Sequence, residues 1–153
     1  PTLAQSLEAA KDTKVHLVLE LKPHATPEAE TAAAEAVVKM VGRYGLSKRV
    51  TYISFSLHVM KELARLAPAK TQLMYLGGGT LPKDLKAMGL TGCDFNYGVY
   101  LNNPTWLNDI KALKMASNVW TVNNPADMIW AIENRVDFIT TDRPDLFLKL
   151  TRK

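Results

Sequence analysis

The sequence predicts an α/β fold, and three observations lead there. Short apolar segments alternate with longer amphipathic ones six times over. The apolar segments are near-continuous rather than alternating, as strands of a parallel sheet are. Three of the longer segments open on Asn or Thr followed by Pro, the signature of helix starts.

Taken in order, the strands fall at about 15–21, 50–55, 71–76, 93–96, 118–122 and 136–140. The first, Val15-His-Leu-Val-Leu-Glu-Leu-Lys22 closed by Pro23, reads as a strand buried on both faces. Helices fall at about 27–44, 57–67, 81–89, 104–114, 125–134 and 144–151. Thr26 before Pro27, Asn103 before Pro104 and Asn124 before Pro125 are N-cap candidates. Gly45 and Gly89 stand where helices stop. The spacing suits compact βα units, with no linker, low-complexity tract or second domain across residues 1–153. Six such units fit a doubly wound sheet or part of a (β/α)8 barrel. Gly77-Gly-Gly79 has neither spacing of a phosphate-binding turn and reads as a loop.

Composition narrows the function classes. The chain is 47% hydrophobic and 22% charged, with a net charge of +4. Its basic residues are scattered without interleaved aromatics, so no nucleic-acid partner is expected. No apolar run approaches the length of a membrane span. A single cysteine, Cys93, excludes an internal disulfide and reads as a small core residue.

Active sites of α/β proteins lie at the C-terminal ends of the strands. Those ends carry Glu20, Lys22, Ser54, Phe55, Tyr75, Asn96, Trp120, Asn123, Thr141 and Asp142. Glu20 and Lys22 are two apart and share a strand face. A carboxylate beside an ammonium suits either cation and phosphate binding or a structural ion pair, and burial of such a pair is costly. Trp120 reads as core packing and Asp142 as a helix N-cap. His16, His24 and His58 have no metal-ligand spacing and none is placed as a catalytic base.

At these residues the sequence resembles the glycerophosphodiester phosphodiesterase family, whose fold is a phospholipase-C-like TIM barrel. The likeness runs through Pro1-Thr-Leu, Leu17-Val-Leu-Glu-Leu-Lys22, Tyr52-Ile-Ser-Phe-Ser56, Val119-Trp-Thr-Val-Asn123 and Val136-Asp-Phe-Ile-Thr-Thr-Asp142-Arg-Pro144. It implies that this chain supplies barrel strands three to eight. It further implies hydrolysis of a small glycerophosphodiester to glycerol 3-phosphate and an alcohol, with Mg²⁺ or Ca²⁺ as cofactor. Glu20 would be a ligand of that cation, Lys22 the catalytic lysine near the phosphate, and Phe55 and Trp120 substrate contacts on the glycerol side.

The family's opening His-Arg-Gly and its His-Asp dipeptide, which carry the acid and base histidines, have no counterpart here. With barrel strands one and two also missing, the chain is expected to be the C-terminal part of a longer enzyme and inactive alone. An N-terminal segment of the same polypeptide, or a second chain, would complete it, and any signal peptide would lie upstream. The alternatives are a phosphodiesterase acting on another phospholipid headgroup and a non-catalytic binding or scaffold protein.

Overall fold

The structure, a computed structural model, describes residues 1–151. The chain divides into two compact units, Pro1–Tyr75 with Met88–Leu90, and Leu76–Ala87 with the described residues from Thr91 onward. In both, adjacent strands run parallel in chain order, joined by crossovers containing helices.

The first unit contains α1 (Leu3–Lys11), β1 (Leu17–Glu20), α2 (Pro27–Arg43), β2 (Val50–Ser54), α3 (Leu57–Leu66) and β3 (Gln72–Tyr75). Helix α1 was not expected from periodicity. Its signal is a capping box, in which the Thr2 hydroxyl accepts from Gln5 N and the Gln5 side chain accepts from Thr2 N. Thr26 caps α2 with Pro27 in the first turn, as the sequence indicates. Ser56 caps α3, accepting from Val59 N at 3.2 Å. The helix ends after α2 and before β4 use Gly45 at φ +70° and Gly89 at φ +87°, conformations that glycine adopts without strain.

Leu17 pairs with Val50 and Glu20 with Ile53, while Thr51 pairs with Gln72 and Ser54 with Tyr75. Leu7, Ala34, Val41, Tyr52, Val59, Met60 and Leu63 fill the core, each no more than 1% exposed. The first strand is not buried on both faces. Val18 is 57% exposed, because β1 ends the strand order and has a sheet neighbour on one side only among the described residues. Arg49 donates to Lys11 O at 2.8 Å and to Thr13 O, placing a cation at the C-terminus of α1.

The second unit contains α4 (Pro82–Ala87), β4 (Gly92–Asn96), α5 (Tyr97–Asn102), α6 (Trp106–Ala112), β5 (Ala116–Trp120), α7 (Pro125–Glu133), β6 (Phe138–Ile139) and α8 (Pro144–Thr151). Helix α5 was also unexpected, and it corrects the reading of Asn103. Asn103 closes α5 as its C-cap, and α6 begins later with Thr105 at the N-cap position. Asn124 caps α7 as expected, accepting from Asp127 N at 2.9 Å. Asp142 is not a cap, since α8 begins at Pro144 and the Asp142 carboxylate accepts from Asn123 Nδ2 at 2.9 Å. Gly78 is more constrained than a flexible loop requires, because a Cβ there would lie 2.3 Å from a Val99 methyl.

The core of this unit centres on Phe95, whose ring centroid lies 5.7 Å from that of Tyr100 and 5.5 Å from that of Trp106. Tyr100 is buried and its hydroxyl donates to Asn118 O at 2.9 Å. Burial pushes the Tyr100 phenol well above its ordinary pKa. Substituting Tyr100→Phe leaves a buried carbonyl without its donor and is expected to cost about 1–3 kcal/mol, measured by urea unfolding.

Cys93 is fully buried, as the sequence indicates. Burial, reinforced by the neighbouring Asp94, pushes its thiol up to about 12. The thiolate is the reactive form, so at pH 8 the native protein is expected to leave Cys93 unmodified by a thiol reagent such as DTNB. The label should enter only on addition of denaturant. Rapid labelling of the folded protein would show that the core around β4 opens.

Candidate active site

In the first unit, parallel pairing brings the C-terminal ends of β1 and β2 side by side. Glu20 is the last residue of β1, and Lys22 lies just past it. Lys22 Nζ stands 2.7 Å from Glu20 Oε1, so the shared face inferred from the sequence is realised as an ion pair. The pair is not buried. Its side chains are 74% and 28% exposed for Lys22 and Glu20, because β1 is the terminal strand of the order. An ion pair this wet adds at most about 1 kcal/mol to stability, and its ammonium stays accessible to an incoming anion. Phe55 follows β2 directly and is 42% exposed, an apolar ring at the same strand end.

The connections behind these residues are fastened by hydrogen bonds. Leu21 N donates to Ile53 O at 2.9 Å, and the buried Ser54 hydroxyl donates to Leu21 O at 2.6 Å. Ser56 N donates to Ser54 Oγ at 3.0 Å. His24 Nδ1 lies 2.8 Å from Lys22 O, and since a carbonyl only accepts, Nδ1 carries the proton. The other histidines lie elsewhere. His16 Nε2 is 2.8 Å from the Thr51 hydroxyl, which donates onward to Gln72, and His58 Nε2 is 2.9 Å from Thr31 Oγ1.

In the second unit, Trp120 ends β5 half-buried, and its indole Nε1 donates to Asp94 O at 2.9 Å. Core packing alone therefore understates it, since the ring is oriented by a hydrogen bond and partly open to solvent. The Trp120–Thr121 peptide is cis. Asn123 joins the connections after β5 and β6, accepting from Asp142 N at 2.9 Å and Thr141 Oγ1 at 3.2 Å. In the same unit Tyr97 stacks edge-on to Trp130 at 4.9 Å. Burial and the Asp127 carboxylate raise the Tyr97 phenol above its ordinary pKa.

Among the described residues no three His, Cys, Asp or Glu side chains are grouped so as to hold a metal ion. Glu20 Oε2 has no hydrogen-bond partner among them and remains open to a cation. One carboxylate is nevertheless a ligand and not a site, since Mg²⁺ and Ca²⁺ take six or more oxygens. Also among the described residues, no helix is long and apolar enough to cross a membrane. Sequence reasoning missed the fastening roles of Glu30 and Asn123. Asn123 carried a signal, its place at a strand end, whereas Glu30 reads as an ordinary first-turn acid of a helix.

Residues 1–146 match the glycerophosphoryl diester phosphodiesterase family. A glycerophosphodiester phosphodiesterase of Parabacteroides distasonis, known from its crystal structure, is 47% identical with a TM-score of 0.95, over 98% of this chain and 63% of that one. A glycerophosphodiester phosphodiesterase of Caldanaerobacter subterraneus subsp. tengcongensis is 28% identical over 100% of this chain and 62% of its own length. An Oleispira antarctica phosphodiesterase, solved in complex with the product sn-glycerol-3-phosphate, shares the fold with a TM-score of 0.83 at 19% identity, over 97% of this chain and 60% of that one. This chain thus spans less than two thirds of the length of each of these relatives. With a match over nearly its whole length, the chain belongs to the glycerophosphoryl diester phosphodiesterase family.

Proposed function

We propose that the protein carrying this chain hydrolyses glycerophosphodiesters to glycerol 3-phosphate and an alcohol. The observation that carries the reading is the Lys22 ammonium, held 2.7 Å from Glu20 at the C-terminal end of a parallel strand and open to solvent. Family membership supplies the chemical class in which such a group is useful. The product complex of the Oleispira phosphodiesterase supports a small phosphorylated glycerol as the ligand of this fold.

In this reading Lys22 receives a non-bridging phosphoryl oxygen, and Glu20 aims the ammonium at it. Water gives up a proton as its oxygen bonds to phosphorus, the bond from phosphorus to the alcohol oxygen breaks, and that oxygen takes up a proton. Negative charge gathers on the phosphoryl oxygens as this happens, and a fixed ammonium stabilises it more in the transition state than in the ground state. Phe55 offers an apolar face to the carbon side of the glycerol, and the same role for Trp120 rests on the family resemblance. A divalent cation, Mg²⁺ or Ca²⁺, belongs to the proposal as cofactor, with Glu20 as the ligand this chain contributes. The acid and base histidines and the remaining cation ligands would come from an N-terminal segment of the same polypeptide or from a second chain. The 153 residues alone are therefore expected not to turn over.

The test is release of glycerol 3-phosphate from a glycerophosphodiester by the full-length protein, coupled to a dehydrogenase readout. Lys22→Ala is expected to lower kcat by about 10²–10³-fold, the loss typical of removing one preorganised electrostatic contact. A variant within twofold of the parent would remove Lys22 from the mechanism. No glycerol 3-phosphate from the parent protein would sink the activity itself.

A further inference from the structure

The first unit holds a buried carboxylate that the proposed chemistry does not use. Glu30, in the first turn of α2, is 6% exposed. A carboxylate loses hydration on burial and is tolerated only where hydrogen bonds replace it. Both oxygens of Glu30 have such bonds. Oε1 accepts from His24 N at 3.2 Å, and Oε2 accepts from the Ser56 hydroxyl at 2.7 Å. His24 belongs to the connection after β1 and Ser56 to the connection after β2, so one side chain ties both to the start of α2.

The geometry points to Glu30 as the positioning residue that sets Lys22 and Phe55 in fixed relation, an inference that rests on the phosphodiesterase reading of that strand end. Lys22 is enclosed between two fastened points, Leu21 bonded to Ile53 and Ser54, and His24 bonded to Glu30. The His24 ring then returns to Lys22 O through Nδ1, closing the turn around Pro23. Phe55 is enclosed in the same way between Ser54 and Ser56. Removing Glu30 frees His24 N and releases the Ser56 hydroxyl from α2, while Ser56 N stays bonded to Ser54 Oγ and the strand pairing is left intact.

A helix-dipole role does not account for the arrangement. Glu28, exposed in the same first turn, serves the dipole equally well without the cost of burial. Charge matters to the contact itself, because a carboxylate accepts at both oxygens, and a carboxylate acceptor gives bonds about twice as strong as neutral ones. Glutamine has one oxygen acceptor and an amide that can donate to Ser56 Oγ, so it preserves the connection in weakened form.

The test uses the full-length protein with Glu30→Ala and Glu30→Gln, read by amide hydrogen exchange and by steady-state kinetics. Exchange in residues 22–26 is expected to rise about tenfold or more in E30A, with residues 50–54 unchanged. The kcat for glycerophosphodiester hydrolysis is expected to fall about 10- to 100-fold in E30A at little cost in KM, as for loss of an outer partner that orients a reacting group, and to recover largely in E30Q. Unchanged exchange in 22–26 would overturn the proposal. So would a rise that extends equally through 50–54 with activity falling in step, which marks a stability role alone. If E30A does not fold, E30Q, which keeps the side chain's volume and weakens both ties, takes its place: a smaller rise in 22–26 with 50–54 unchanged is expected, and no rise overturns the proposal. If the parent protein releases no glycerol 3-phosphate, the phosphodiesterase reading fails while exchange in 22–26 still decides whether Glu30 fastens the two connections.

Discussion

Parallel strand pairing is the constraint from which the candidate site follows. A parallel pair cannot be closed by a tight turn, so each strand is followed by a crossover that returns the chain to the strands' starting end. Within each unit the strands then finish on the same side, and residues just past the ends of paired strands become neighbours however far apart they are in the chain. Glu20 and Phe55 meet this condition through the Glu20–Ile53 register of β1 and β2. Lose that register by one residue, and Glu20 turns to the opposite face.

The connections between strand ends and helices are organised by the same requirement that governs any buried backbone. Each N–H and C=O leaving the sheet must find a partner. In the first unit Ser54, Ser56 and Glu30 supply them, and in the second Asn123 and Asn124 do. At one place a helix cap and a site support are the same side chain. Ser56 is both the N-cap of α3 and the partner of Glu30, so helix termination and site geometry are coupled through one hydroxyl.

The Lys22–Glu20 pair illustrates why exposure matters more than proximity. A dry pair would be held by mutual attraction and would resist an incoming anion. This one is wet, so its ammonium can exchange partners with the solvent. Cys93 and Tyr52 show the contrary case. Burial alone raises Tyr52 to about 12, and burial together with Asp94 raises Cys93 to about 12, keeping both neutral and chemically quiet in the core.

The alternation of apolar strands with helix-start signals was enough to establish the α/β class, six strands and six of the eight helices among the described residues, because those signals are local. The carboxylate and lysine at the end of the first strand were legible for the same reason, a two-residue spacing that any strand converts into one face. Helices α1 and α5 escaped because short helices carry little periodicity, and only a capping box at Thr2 and Gln5 marked the first. Burial of β1 was misjudged because sequence reports how apolar a strand is, not how many neighbours it has. Glu30 lay beyond sequence reasoning altogether. A glutamate in a first helical turn is ordinarily solvated, and only the tertiary arrangement of two loops against one helix end makes its carboxylate the shared acceptor of His24 and Ser56.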